Sequence, residues 1–321
     1  MSPSLHTIMS RLRLRQLRLL IALDEFRSIH RAARHVSITQ PGATRALNEL
    51  EETLGMSLFT RSAQGLTPSE AGRCAIRYAR LIENDLGGLC DELAGMQKGV
   101  AGRLAVGGVM GAMPMLLDHA SQLLARHPTI DLSIIEDTSE GLMRQLDQGR
   151  LDMVLCRSSF GQQPEHYRVM GTFQEQLMVV AHPEHALVGV RHPDFALLAR
   201  AQWIVYPVSM PRILEQEFIE QGCCFVGRTV EISSTFAIIS MLRRDRTLLA
   251  LLPEQIALEQ AEAGMLARLD YDLRVHNRPF ELVWRRDRAL SPVAQYFFDL
   301  YKVIVASDAD GGLEAPSLSA P

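Results

Sequence analysis

Apolar residues at Leu12, Leu14, Leu17, Leu20, Ile21 and Leu23 recur at helical spacing, so the chain opens with an amphipathic helix whose solvent face is arginine. Ser28 precedes a shorter helix with Ala32, Ala33 and Val36 inward, and Ser37-Ile38-Thr39 breaks it before a third. That third helix begins at Thr39 or Gln40. It takes Pro41 in its first turn, where a missing N–H costs nothing, and runs through Leu47, Leu50 and Leu54 to Gly55 as its left-handed stop. Two short extended pieces, 57–60 and 65–67, flank residues 61–64 and predict a wing. Thr67-Pro68-Ser69-Glu70 then predicts a helix start, with Thr67 as N-cap and Glu70 completing a capping box. Cys74, Tyr78, Ile82, Leu86, Leu89, Leu93 and Met96 follow every three or four residues for about seven turns. A stripe that long needs a covering surface, either the same helix of a second subunit or its own domain.

From Arg103 the pattern changes to alternating strands and helices. Strands are predicted at 104–109, 130–135 and 152–156, with helices at 114–125 and 141–148 between them. A second set has strands at 177–181, 203–206, 229–232 and 248–252, with helices at 213–221, 235–242 and 253–261. Such repetition implies parallel α/β sheets, packed most economically as two lobes with a cleft between them. The tail from Ser307 is Asp, Gly, Ser, Pro and Ala and is expected to be disordered.

A chain of 321 residues exceeds one ordinary core, and 47% apolar with 22% charged residues belongs to the globular class. No apolar run is long enough to span a membrane, and the run 19–23 ends at Asp24 and Glu25, short of a signal-peptide core, so a cytoplasmic location is expected. Five cysteines without C-x-x-C spacing are expected as buried thiols, Cys223 and Cys224 included. Charge is the more telling quantity. The formal net charge is −4, yet residues 1–80 hold twelve Arg, no Lys and six acids, giving +6 and leaving −10 for the rest. A cationic head on an acidic body suits a polyanion at one end only.

A short helix, a three-residue turn and a third helix opening on small polar residues is the helix-turn-helix pattern. Residues 12–81 closely resemble the LysR-type transcriptional regulators, through Ser28, Ala32-Ala33, Thr39-Gln40-Pro41, Thr44, Leu50-Glu51, Leu54-Gly55, Leu58-Phe59, Arg61, Leu66-Thr67-Pro68 and Ala71-Gly72. Gly149-Arg150-Leu151-Asp152, His182-Pro183 and Leu252-Pro253 agree more loosely, so the resemblance covers about 10–305. Thr39 and Thr44 stand where many members have serine, and Ala43-Thr44 leans toward the branch of galactose- and protocatechuate-pathway regulators. The resemblance implies a winged helix-turn-helix at 10–67, a linker helix at 68–98, a two-lobed α/β domain like the periplasmic binding proteins at 102–305, and a tail at 306–321. It implies promoter DNA and a small effector (an organic acid, an aromatic or a sugar derivative) as partners, with RNA polymerase a further candidate. Homodimers through the linker helix, assembled as tetramers, are part of the same expectation, and no cofactor is.

Helix-turn-helix proteins place the N-terminal end of their third helix in the major groove, which singles out Thr39, Gln40, Pro41, Thr44, Arg45 and Asn48. Gln40 suits an adenine edge, Arg45 a guanine or a phosphate, Pro41 a thymine methyl and Thr44 a phosphate, with Arg34 and Arg61 as backbone cations. In open α/β lobes a ligand binds beyond the carboxyl ends of the strands. Those places are Met110, Gly111 and Met113, Thr138 and Ser139, Arg157 and Ser158, Tyr206 and Ser209, and Ser233, Ser234 and Thr235. Ser233 and Ser234 can equally cap the next helix. The loop after the first strand, Val109-Met110-Gly111-Ala112-Met113, lacks the hydroxyl that often meets an acidic effector in this family. Gly107 to Gly111 lacks dinucleotide spacing, and His182 and His185 bracket a proline as a turn would. An enzyme or transport-type solute binder would need a catalytic constellation or a leader, and neither pattern occurs. An architectural DNA-binding protein whose second domain only oligomerises stays open.

Overall fold

The computed structural model describes residues 4–62, 65–98, 102–157, 164–207, 210–276 and 278–309. They fall into two compact units, one comprising residues 1–98 with 147–150 and one the remainder.

The first unit opens with α1 (Leu5–Arg11), which the hydrophobic pattern did not predict because none of its residues is buried; Ser4 caps it. Three helices then form the head: α2 (Leu14–Phe26), α3 (Ile29–His35) and α4 (Gln40–Leu54). Leu20, Leu23, Ala32, Ala33, Leu47 and Leu50, which the helical spacing had marked, make its core together with Leu19 and Ala43, which it had not, while Leu14 is exposed. Small residues at 32, 33 and 43 let the helices approach closely, so the turn between α3 and α4 can be short. Ser37 completes that turn in the left-handed region at φ 57°.

The wing is β1 (Phe59–Ser62) and β2 (Gly65–Pro68), antiparallel with Phe59 opposite Pro68 and Ser62 opposite Gly65. Glu51 anchors its entry: Oε1 accepts the Leu58 N–H at 2.6 Å and the Phe59 N–H at 3.4 Å. Helix α5 (Glu70–Lys98) follows. Its cap is Ser69, whose Oγ accepts the Gly72 N–H at 3.0 Å, and not Thr67. Strand pairing of Thr67 with Thr60 takes the residues that the capping-box reading had assigned to the helix. The stripe on α5 is also divided. Of its described residues Ile82 packs on the head, beside Ile76 and Ala79, which the spacing had not included, whereas Cys74, Tyr78, Leu86, Leu89 and Leu93 are exposed, as is Cys90, and the Met96 side chain lies outside the described residues.

The second unit begins with β3 (Arg103–Gly108), a 3-10 turn at Met110–Ala112, α6 (Met113–Arg126), β4 (Asp131–Glu136), α7 (Ser139–Asp147), β5 (Met153–Cys156) and β6 (Tyr167–Phe173). Then come β7 (Leu177–Ala181), α8 (Phe195–Arg200), β8 (Gln202–Val205), α9 (Met210–Glu220), β9 (Thr229–Glu231), α10 (Thr235–Leu242), β10 (Leu248–Pro253), α11 (Glu254–Glu262) and β11 (Ala267–Arg268). The last elements among the described residues are β12 (Phe280–Arg285) and α12 (Pro292–Ala309). One sheet has the order β4-β3-β5-β12-β6 and the other β11-β7-β10-β8-β9. Neither is purely parallel as expected: β12 runs against β5 and β6, and β7 against β10 and β11. The reversed strand in each sheet is the one entering from the other lobe. Such a strand arrives at the carboxyl ends of its new neighbours and must run the opposite way.

Two departures concern side chains and the end of the chain. Cys156 is buried, its thiol pushed up to about 12 chiefly by burial, but Cys74, Cys90 and Cys224 are exposed and Cys223 is half-buried, contrary to expectation. Helix α12, whose Phe297 and Tyr301 fill the first lobe's core, continues through 306 to Ala309 where a disordered tail was expected; the rest of that tail, 310–321, lies outside the described residues.

Candidate functional site

Two places gather chemistry-bearing residues, one in each unit. On the head, Thr39 has an extended backbone and its Oγ1 accepts the Gly42 N–H at 3.2 Å, which commits that hydroxyl to capping α4. Ala43, Leu47 and Leu50 face the core, and helical geometry therefore turns Gln40, Pro41, Arg45 and Asn48 outward, where all four are exposed. Thr44 is half-buried, its hydroxyl donating to the Gln40 carbonyl at 3.1 Å. Arg45 Nε lies 3.0 Å from Glu49 Oε1; an exposed pair of this kind is worth about 0.5 kcal/mol and yields readily to a phosphate. Arg34 is exposed in the last turn of α3. Arg61 pairs with Leu66 within the wing, and its side chain lies outside the described residues.

Sequence reasoning missed Arg13 and Arg15. These exposed cations at the start of α2 share one concavity with Thr39 and Gly42 at the start of α4. The arginine face of the first helix was the signal, but periodicity does not reveal which helix ends lie side by side.

In the second unit a cleft of about 590 Å³ opens at the carboxyl ends of the strands, where the topology had placed it. Met110, Gly111, Thr138, Ser139, Arg157 and Tyr206 line it, as expected from their positions after β3, β4, β5 and β8. Several are already committed. Thr138 Oγ1 accepts the Gly141 N–H at 3.2 Å as the cap of α7, and Ser139 Oγ accepts the Arg157 N–H at 3.1 Å. Met110 reaches into the apolar core of the other lobe and is only 3% exposed. Tyr206 buries its hydroxyl without a hydrogen-bond partner among the described residues. Burial first, and then the Glu136 and Asp137 carboxylates, pushes its pKa up to about 12, so the phenol remains a neutral donor.

Four expected cleft residues, Met113, Ser233, Ser234 and Thr235, are not among those lining it. Met113 turns its Sδ back toward Gly108, since a side chain in the first turn of α6 leans over the preceding strand end. Ser234 caps α10, taking the Ala237 N–H at 3.4 Å, and Ser233 precedes it. Thr235 instead joins the lobes, donating from Oγ1 to Glu136 Oε1 at 2.6 Å. Ser158 and Ser209 lie outside the described residues.

The cleft also holds charge that the strand-end rule did not identify. Glu175, in the first crossing between lobes, is buried and ion-paired with Arg157, whose Nε donates to the Arg278 carbonyl at 2.8 Å. Arg212 and Gln216 of α9 and His276 and Arg278 of the second crossing complete the wall. Arg212 is exposed and has no ion pair among the described residues. His182 and His185 each accept a backbone N–H of their own loop, from Glu184 at 3.0 Å and Leu187 at 3.1 Å, and so hold its turns.

Residues 14–73 match the family model described as bacterial regulatory helix-turn-helix protein, lysR family, and residues 97–303 match the LysR substrate binding domain. The chain is 28% identical over 302 residues to the HTH-type transcriptional regulator GbpR of Azospirillum brasilense, covering 91% of this chain and 86% of that one. It is likewise 28% identical over 302 residues to the HTH-type transcriptional regulator GalR of Pseudomonas putida, with 92% and 75% covered. Among solved structures, full-length CbnR complexed with its target DNA superposes with a TM-score of 0.61 at 21% identity, over 91% of this chain and 99% of that one. At that identity the likeness concerns the fold.

Proposed function

The chain belongs to the lysR family of DNA-binding transcriptional regulators, and we propose that α4 enters the major groove of a promoter while the cleft of the second unit takes a small effector. It is a regulator and not an enzyme. The observation that carries the DNA reading is the outward turn of α4, with Gln40, Pro41, Arg45 and Asn48 exposed over a core that fixes the helix. Gln40 reads an adenine edge, Pro41 touches a thymine methyl, and Arg45 leaves Glu49 for a guanine or phosphate. Thr44 turns its hydroxyl from the helix backbone to a phosphate; Arg34 and Arg61, together with Arg13 and Arg15, meet the backbone on either side. Thr39 acts through its cap.

Genome-wide mapping of bound DNA, followed by titration on the recovered operator, tests this reading and identifies the operon, which we place among catabolic or metabolic operons. Gln40→Ala narrows the gap between operator and random DNA by about tenfold, as for one lost base contact. Equal losses on both sequences would contradict base reading.

The exposed row Leu86, Leu89 and Leu93 on α5 is read as the contact with the same helix of a second subunit. Leu89→Glu combined with Leu93→Glu converts a dimer to monomers in sedimentation, and an unchanged mass would exclude this helix as the joint. Tetramers built from such dimers, and contact with RNA polymerase, extend the same reading. No helix of the described residues is long and apolar enough to cross a membrane.

A further inference from the structure

The cleft carries a carboxylate of its own. Glu175 belongs to the crossing between β6 and β7, and its side chain is only 3% exposed, a rare setting for an acid unless it is paired. Arg157, at the end of β5, is that pair, and the arginine is itself held twice, through Nε to the Arg278 carbonyl and through its N–H to Ser139 Oγ. The third neighbour is Gly111, in the loop after β3. A Cβ there would overlap Glu175 Oε1, so the absence of a side chain at 111 is what admits the carboxylate. The same loop has no hydroxyl from Val109 to Met113.

We propose that Glu175 is a built-in anion that permanently fills the subsite formed by Arg157 and the Gly111 loop, so that the effector is read by the opposite wall. On that wall Arg212, Gln216 and His276 face the cavity, and the Tyr206 hydroxyl is buried without a partner among the described residues. The effector therefore brings an acceptor for the phenol and an acidic or acceptor-rich group for Arg212, and leaves Arg157 to the protein. The inference rests on the effector-cleft reading above.

Chemical rescue tests it with acetate as the probe and full-length protein. Glu175→Ala leaves Arg157 uncompensated and lowers the melting temperature by roughly 5–10 °C. Acetate at tens of millimolar raises it again, equimolar chloride does not, and wild type responds to neither. Acetate acting equally on both proteins, or on neither, would overturn the proposal. Should Glu175→Ala not fold, the shortened acid of Glu175→Asp serves instead. Gly111→Ala destabilises wild type but costs less in the Glu175→Asp background, because the carboxylate has drawn back, and additive losses would overturn the proposal equally. Neither readout involves an effector, so a protein that ignored every effector would still show rescue, and failed rescue would leave the regulator reading standing.

Discussion

Glu217→Ala lowers the stability of the second unit by about 3–5 kcal/mol, read as a drop in denaturant midpoint at unchanged slope. Glu217 lies on α9 and is 1% exposed. Its Oε2 accepts the Arg274 and Val275 N–H groups at 2.9 and 2.8 Å, and its Oε1 accepts the Tyr271 hydroxyl. Alanine leaves the buried Val275 N–H and the part-buried Arg274 N–H and Tyr271 hydroxyl without their acceptor, at about 1–3 kcal/mol for a donor left unserved, and opens a cavity in place of the side chain. Burial, and next the hydrogen bond to Glu217, holds the Tyr271 hydroxyl well above its ordinary pKa, so it remains a donor throughout the neutral range. Tyr271→Phe, which removes one donor and leaves the two amides served, costs about 1 kcal/mol.

The effect reaches the cleft, because the segment that Glu217 pins leads to His276 and Arg278 in its wall, and the same helix supplies Arg212 and Gln216. Effector affinity therefore falls in Glu217→Ala even though Glu217 is not among the cleft residues. A loss of under 1 kcal/mol, or full stability loss with unchanged effector affinity in the folded fraction, would remove Glu217 from that role.

Gly72→Ala in the first unit should reverse the usual sign of a helical glycine substitution. Alanine is worth about 1 kcal/mol over glycine inside a helix. At Gly72, however, a Cβ would overlap the Leu58 carbonyl oxygen and come within 3.3 Å of Pro68 Cβ, so α5 and the wing must separate. We expect a net loss of about 2–3 kcal/mol, with operator affinity falling as the wing is displaced. Gly87 and Gly88 on the same helix provide the control, since a Cβ at either meets nothing within 4 Å. Gly87→Ala and Gly88→Ala should each be neutral or stabilising by about 0.5–1 kcal/mol. Stabilisation by Gly72→Ala would mean that the wing does not pack there.

Helical periodicity and cap chemistry are local properties, and they located α3 and α4 closely and the start of α2 to within two residues, along with the exposed face of α4. Ala32 and Ala33 were legible as inward residues, whereas the burial of Ala43 emerged only from the packing. The cap of α5 was misplaced because Thr67 and Pro68 satisfy a strand partner seven or more residues away, a competition that no window on the chain displays. The cleft was legible in outline, since strand ends follow from alternation. Its chemistry was not. Glu175 and Glu217 are single acids in unremarkable stretches, and Glu175 finds its arginine across 18 residues while Glu217 finds its amides across 57 and 58.

Sequence by itself determined the family, the two-part organisation, the helices of the head and the residues that α4 turns outward, because each depends on side chains three or four positions apart or on a dense local motif. Tertiary structure alone decided which strand in each sheet runs backward, which residues of α5 pack on the head and which remain exposed, and that the cleft brings its own carboxylate. Those outcomes depend on where two distant crossings deliver the chain and on which buried charge lies within reach of which donor.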